Sequence, residues 1–441
     1  MAACNVANFN KIILLFLPPM IRYEAFTLDN GLRVIVHEDP TVEIAVMNIL
    51  YDVGSRDEQP DKTGFAHLFE HLMFGGSANI PSYDEPLQRV GGESNAFTNT
   101  DVTNYYLTVP AANIETGFWL ESDRMLSLSF DPEVLEVQRK VVIEEFKQNY
   151  LNQPYGDVWL KLRPLVYEVH PYQWATIGKD VSHIANATLD QVKDFFYRYY
   201  VPSNAILVVA GKVTVPQVRS LTEKWFGPIP SGNPPHRSLP SEPVQQKAKF
   251  AEYTADVPAA AFYQAFHMPG RFDDDFYAVD LMSDALGRGP SSRLYQQLVR
   301  KNELFTSIST HTTGSIDPGM LVISGRIKPG VTLEEAHEAV QAIVTDIARK
   351  GLEEEELERV KAQAESSLEF AEVEVLNRAI NLAFATLSGD TSIVNQEAER
   401  IARVNADDIR RVASGVLRES NSTVMYYRSR RAQSEALKDA S

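Results

Sequence analysis

Two histidines and a glutamate in the run Gly64-Phe-Ala-His67-Leu-Phe-Glu70-His71-Leu-Met-Phe-Gly75-Gly76 are the residues best placed to do chemistry. An α-helix turns once in about 3.6 residues, so positions i, i+3 and i+4 project from one side. Two neutral imidazoles a turn apart can share one metal ion, and a carboxylate just before the second sits beside the ion's open position. Glu70 could there take a proton from water that the ion has acidified. The order His-x-x-Glu-His reverses the familiar zinc-protease helix motif. A triplet like this also arises by chance, or on a solvated helix face. Against that, Leu68, Phe69, Leu72, Met73 and Phe74 leave this helix little polar surface. Polar groups in an apolar helix need a partner or an ion.

A catalytic zinc usually takes three protein ligands and a water. The third is expected from a helix over 131–149, whose apolar stripe reads as Val134, Leu135, Val141, Val142 and Phe146. Glu145 falls on that stripe and Glu144 to its side. A carboxylate on a buried stripe is expensive unless paired or coordinated. Glu145 is therefore the expected ligand, with exchange of the two glutamates as the alternative.

The elements that would carry these groups follow from pattern. Asp29-Asn-Gly31 is a hairpin turn signal between Glu24 to Leu28 and a return strand Leu32 to Val36. Ile44 to Tyr51 is a continuous apolar run and reads as a central strand. Two further strands, Asn95 to Thr100 and Thr103 to Val109, are rich in Thr and aromatics. Tyr105 and Tyr106 fit substrate contact and ordinary sheet packing equally well, with Tyr105 the candidate substrate-binding residue of the two. A Pro- and Gly-dense stretch near 226–240 divides the chain. Beyond it, Ala261 to Gly287 repeats the strand, break and Gly-terminated helix of Ile44 to Gly76. Aligned on Gly75 and Gly287, Val279, Met282 and Ser283 stand where His67, Glu70 and His71 stand, so the second half keeps the frame without the ligands.

Composition limits the function classes. The 441 residues, 44% hydrophobic and 23% charged, describe a soluble globular chain of two to four domains. A net charge of −17 disfavours nucleic acid and anionic membranes as partners. The lone Cys4 excludes an intrachain disulfide and a thiolate zinc site. Lys11 precedes a short apolar run ending at Met20, too short to span a bilayer. It resembles a secretory signal but holds two prolines and no small-x-small cleavage site; translation beginning at Met20 is an equal alternative. The bacterial periplasm is the favoured compartment and the cytoplasm the alternative.

From about Ile21 onward the chain resembles the inverzincin metallopeptidases, which include pitrilysin, insulin-degrading enzyme and the mitochondrial processing peptidase. The resemblance rests on Thr27-Leu-Asp-Asn-Gly-Leu-Arg-Val, the His67-to-His71 motif, the Glu145 helix, and His170-Pro-Tyr with Gly178. Tyr199-Tyr-Val-Pro-Ser-Asn-Ala and Ser292-Arg-Leu-Tyr-Gln-Gln-Leu also match. The size is that of the short, bacterial processing-peptidase-like members. The resemblance implies an α+β fold of two homologous domains, each an antiparallel sheet covered by helices. The expected division is a metal-binding domain at 21–228, a linker at 229–245 and a non-metal domain at 246–441, after an extension at 1–20. It implies one zinc per chain on His67, His71 and Glu145, with Glu70 activating the water. It also implies a peptide substrate, extended or unfolded, added as a strand beside Asn95, Ala96 and Phe97.

Three positions depart from the family pattern. Gln138 stands where members often have a second Glu. In the second half, Val299 and Thr306 occupy the places of an Arg and a Tyr that hold the substrate carbonyl and its developing oxyanion. The expectation is thus a metal-bearing subunit of a heterodimer, completed by a related chain with the Arg/Tyr pair. A homodimer with a substitute donor is the alternative. Rival functions are a noncatalytic scaffold of the same fold and a metal hydrolase acting on something other than peptides.

Overall fold

The computed structural model describes residues 20–430, so Cys4 and the apolar run before Met20 lie outside the described residues. Six strands form the first sheet: β1 (Glu24–Thr27), β2 (Arg33–Glu38), β3 (Ile44–Tyr51), β4 (Glu93–Thr98), β5 (Thr103–Pro110) and β6 (Ala205–Gly211). Their order is β1-β2-β6-β3-β5-β4. The second sheet holds β7 (Lys249–Ala255), β8 (Ala261–Met268), β9 (Phe305–Thr312), β10 (Gly319–Ile327) and β11 (Ser422–Ser429) in the order β7-β11-β8-β10-β9. The chain is α+β with two sheet-and-helix domains, as expected.

Each sheet departs from the expected antiparallel pattern at one place. β2 runs parallel to β6, and β7 parallel to β11. A parallel neighbour needs a long crossover, and in both sheets the partner strand arrives only after most of that domain's helices have been laid down. A pattern of apolar residues along one strand carries no record of so distant a pairing.

Helices of eight residues or more are α1 (Phe65–Leu72), α2 (Ile114–Leu126), α3 (Pro132–Phe146), α4 (Val158–Val166), α5 (Leu189–Tyr199), α6 (Val215–Trp225), α7 (Phe276–Gly287), α8 (Leu333–Lys350), α9 (Glu354–Glu372), α10 (Val375–Leu387) and α11 (Ala406–Val416). Helices α1, α2, α3, α5 and α6 cover one face of the first sheet, packing on Ala45, Met47, Ile49 and Tyr51 of β3. The other face presents Val46 and Leu50 and is covered by α10, through Val375, Ala379, Leu382 and Ala383. β3 reads as one apolar run because both its faces are buried.

The cover is reciprocal. Helix α10 comes from the second half of the chain. In exchange α4, from the first half, lays Val158, Leu162 and Val166 on the second sheet, against Tyr263, Ala265, Met320 and Val322. The opposite face of that sheet is filled by α7, α8, α9 and α11. The expected linker has no regular element between 226 and 248 but is tied at two points. Arg237 binds Asp52 and Asp57, and the Glu242 carboxylate accepts from three successive N–H groups, those of Glu168, Val169 and His170, at 2.7, 3.0 and 2.9 Å.

Candidate metal centre

Helix α1 starts at Gly64, whose φ of +89° suits glycine, and a Cβ there would fall 2.7 Å from the Ile177 carbonyl oxygen. No side chain of the helix caps this end. Instead the buried Glu58 carboxylate accepts from the Gly64 and Ala66 N–H groups at 2.9 and 2.8 Å, satisfying two of the free donors of the first turn. Beyond the other end, Gly75 lets the chain pass α3, since a Cβ would meet Val134 Cγ1 at 2.5 Å. Phe65, Leu68, Phe69 and Leu72 face the core, and His67, Glu70 and His71 lie on the half-buried side. The expected one-sided display is therefore what the helix presents.

Helix α3 begins with Asp131 accepting from the Glu133 N–H at 2.7 Å and Pro132 in the first turn. It brings Glu145 Oε2 to 3.6 Å from His67 Nε2 and 3.4 Å from His71 Nε2. All three ligand atoms lie within 4.8 Å of one another, and no other such cluster occurs among the described residues. Zinc–ligand bonds of about 2.0–2.1 Å span tetrahedral edges of roughly 3.4 Å, so this donor set fits one zinc ion. Burial lowers the pKa of His67, which favours the neutral, ligating imidazole. The hydrogen bond from His71 lowers that of Glu145. Glu144 points to solvent and pairs with Lys147 at 2.6 Å.

Glu145 does not lie on a buried stripe, as the apolar spacing implied. Val141 is 44% exposed, and the buried positions of α3 are Leu135, Val142 and Phe146. Glu145 stands beside the buried stripe, one turn after exposed Val141 and two after exposed Val137, with its side chain 35% exposed. The helix is rotated from the expected setting because the stripe is narrower than a list of all its apolar residues suggests.

Glu70 is half-buried and makes neither an ion pair nor a hydrogen bond among the described residues, which leaves its carboxylate available. β4 is the edge strand of its sheet, paired only with β5, and packs against α1. Asn95, Ala96 and Phe97 thus flank an open edge beside the cluster. Asn95 Oδ1 already accepts from the Ala96 N–H at 2.8 Å, a bond an incoming strand must displace.

Tyr105 departs from its expected place. It is fully buried, and its hydroxyl donates to the Phe69 carbonyl at 3.1 Å, so it supports α1 from below instead of touching substrate. It stands on β5 at a position facing the helix layer. Beneath it lies a support that sequence reasoning missed, the fully buried Arg124, paired with Glu121 at 2.6 Å and stacked on Tyr83 and Tyr105. Four consecutive polar residues, Glu121 to Arg124, in a helix that must pack on the sheet were the available signal. In the second half, Val279, Met282 and Ser283 of α7 are buried in the core, so the repeated helix offers no ligands.

This arrangement, an inverted His-x-x-Glu-His helix facing a glutamate on a neighbouring helix over a two-sheet α+β frame, defines a class of metallopeptidase-like proteins. The chain belongs to the M16 peptidase family: residues 33–161 match "Insulinase (Peptidase family M16)" and residues 186–364 match "Peptidase M16 inactive domain". It is 28% identical to the zinc protease PqqE of Helicobacter pylori over 414 residues, 92% of each chain. The crystal structure of a protease from Helicobacter pylori matches with a TM-score of 0.87, covering 93% of this chain and 100% of that one. The periplasmic protease PqqL of Escherichia coli shares the fold at 18% identity and a TM-score of 0.76, and this chain covers 49% of its length. No helix among the described residues is long and apolar enough to cross a membrane.

Proposed function

We propose that this protein is a zinc-dependent endopeptidase for extended or unfolded peptides, acting as the metal-bearing subunit of a two-chain chamber. The observation that carries the reading is the convergence of His67 Nε2, His71 Nε2 and Glu145 Oε2, with an unengaged Glu70 on the same helix. His67, His71 and Glu145 would hold a zinc ion, which would supply a Lewis acid for the scissile carbonyl and for acidifying water. Glu70 takes the proton from the attacking water and passes it to the departing amine. The open edge of β4 at Asn95, Ala96 and Phe97 holds the peptide by main-chain hydrogen bonds, which selects extended segments.

The second subunit is inferred from what this chain does not offer. Val299 packs against the second core, Arg300 is exposed beside it, and the Thr306 hydroxyl donates to the Arg326 carbonyl at 3.2 Å. None supplies the Arg/Tyr pair that would hold a substrate carbonyl. A related chain bearing that pair completes the site; a homodimer is the alternative partner arrangement. As part of the same reading the compartment is a bacterial periplasm, on the Lys11 segment and the periplasmic relative of the same fold. The description "inactive domain" for residues 186–364 favours a second reading, a noncatalytic scaffold.

The test loads the purified chain with zinc, measures the stoichiometry, and assays an unstructured peptide against small esters, with a related Arg/Tyr-bearing chain present. One zinc per chain and peptide cleavage that stops on chelation and returns with zinc supports the reading. Stoichiometric zinc without cleavage under any pairing favours the scaffold, and ester cleavage alone favours a different hydrolase. Copurification of fully active self-associated chains would remove the heterodimer.

A further inference from the structure

The metal helix is held at its N-terminus by a residue outside it, and that residue belongs to a short segment bound to both halves of the molecule. Residues 54–58 run Gly-Ser-Arg56-Asp57-Glu58. The buried Arg56 reaches Asp317 of the second half at 2.9 Å and Asp101 of the first at 3.0 Å. Asp57 is gripped by Arg237 of the linker at 2.7 Å. The Trp174 indole donates to the Ser55 carbonyl at 2.8 Å. Glu58, the next residue, carries the two hydrogen bonds to Gly64 and Ala66 that start α1.

We infer that the segment from Arg56 to Glu58 couples the junction between the two halves to the metal helix, with Glu58 as the positioning residue that sets the helix and its two histidines. Arg56 and Asp57 are anchored to the second half and to the linker, so a change in how the halves sit pulls on the backbone that carries Glu58. Glu58 passes the displacement to the first turn of α1, three residues before His67. A cavity of about 420 Å³, lined by Arg56, Glu58, Trp174, Tyr199 and Arg237, lies on the linker side of the segment and leaves it room to shift. Clamps that reach Asp317 of the second half and Arg237 of the linker, with space beside them, suit transmission. The metal site is then well formed only when the halves of the chain are correctly seated. This consequence rests on the metal reading above, whereas the coupling itself does not.

The test breaks the input far from the output. Asp317→Asn removes the one ion pair of Arg56 to the second half, at a residue 35% exposed, leaving its pairs with Asp101 and Asp52, and Arg237→Gln loosens the linker arm independently. Hydrogen exchange is followed across residues 64–72 in the metal-free chain. We expect each variant to speed exchange there by about tenfold while β8 and α8 keep their protection. Zinc affinity should weaken by about tenfold, the scale on which groups supporting metal ligands act. In a Glu58→Gln background, where one of the two N–H groups loses its acceptor, Asp317→Asn should add little, because the link is already cut. Unchanged exchange at 64–72 in both variants, or full additivity with Glu58→Gln, overturns the coupling. If exchange responds and the wild-type chain binds no zinc, the coupling stands and the proposed function falls.

Discussion

Glu70 and Glu145 are the two glutamates of the proposed site, and the proposal gives them different work. With Glu145 as the proposed ligand, Glu145→Gln should weaken zinc binding by more than about tenfold, beyond what loss of an outer support costs. Glu144→Gln should leave the affinity within about twofold, since Glu144 makes only a surface pair worth less than ~1 kcal/mol. With Glu70 as the proposed general base, Glu70→Gln should retain zinc and lose about 10²–10⁴-fold in peptide turnover, the range for general bases. Zinc content by mass spectrometry, set beside turnover, separates the roles. A Glu70→Gln chain that arrives without metal would make Glu70 a structural support.

Helix α7, the second-half counterpart of the metal helix, carries a testable anomaly of its own. Asp284 is 7% exposed, and burial first, then the charge of Asp280, pushes its carboxyl up to about 6 against the pull of Arg288. A folded-state value above the unfolded 3.8 means the native state holds a proton that the unfolded chain releases. This group's contribution is complete below about pH 4 and is lost as pH rises through about 6. Asp284→Asn should therefore stabilise the protein by about 1–3 kcal/mol at pH 8 and by almost nothing near pH 4, read from urea midpoints at the two values. At this scale the sequence was most legible where period and turn chemistry act locally. The β3 run, the Gly31 hairpin and the display of His67, Glu70 and His71 on α1 all follow from residues within a few positions. Glu145 was reached through a stripe that placed Val141 inside, and the structure leaves Val141 outside. The reason is that helical spacing reports which residues share a face but not how wide the buried face is. Tyr105 failed differently: a buried aromatic hydroxyl needs a partner, and that its partner is the Phe69 carbonyl depends on packing across the sheet.

At the level of the whole molecule, the exchange of α4 and α10 ties the two halves together. No pattern within α10 says that its apolar face belongs to the first sheet and not its own, so this feature was invisible to local reasoning. It predicts that residues 20–228 expressed alone will not reach a native fold, because Ile35, Val46, Leu50, Ile206 and Val208 would face water. A cooperative thermal transition from that fragment would contradict the interlocking. In the full chain Leu382→Ala, at a fully buried site of α10, should cost about 2–5 kcal/mol and lower a single common transition. The two-sheet frame carries ligands in one half only, and Val299 and Thr306 stand where the proposed reading needs a carbonyl-holding pair, so the proposal looks to a second subunit for it. The most direct measurement is hydrolysis of one unstructured peptide by the zinc-loaded chain, first alone and then mixed with a related chain bearing the Arg/Tyr pair. No turnover is expected from the chain alone, and zinc-dependent turnover is expected in the mixture, abolished by Glu70→Gln in this chain. Turnover that persists through Glu70→Gln, or absence of turnover in every mixture, would contradict the proposal.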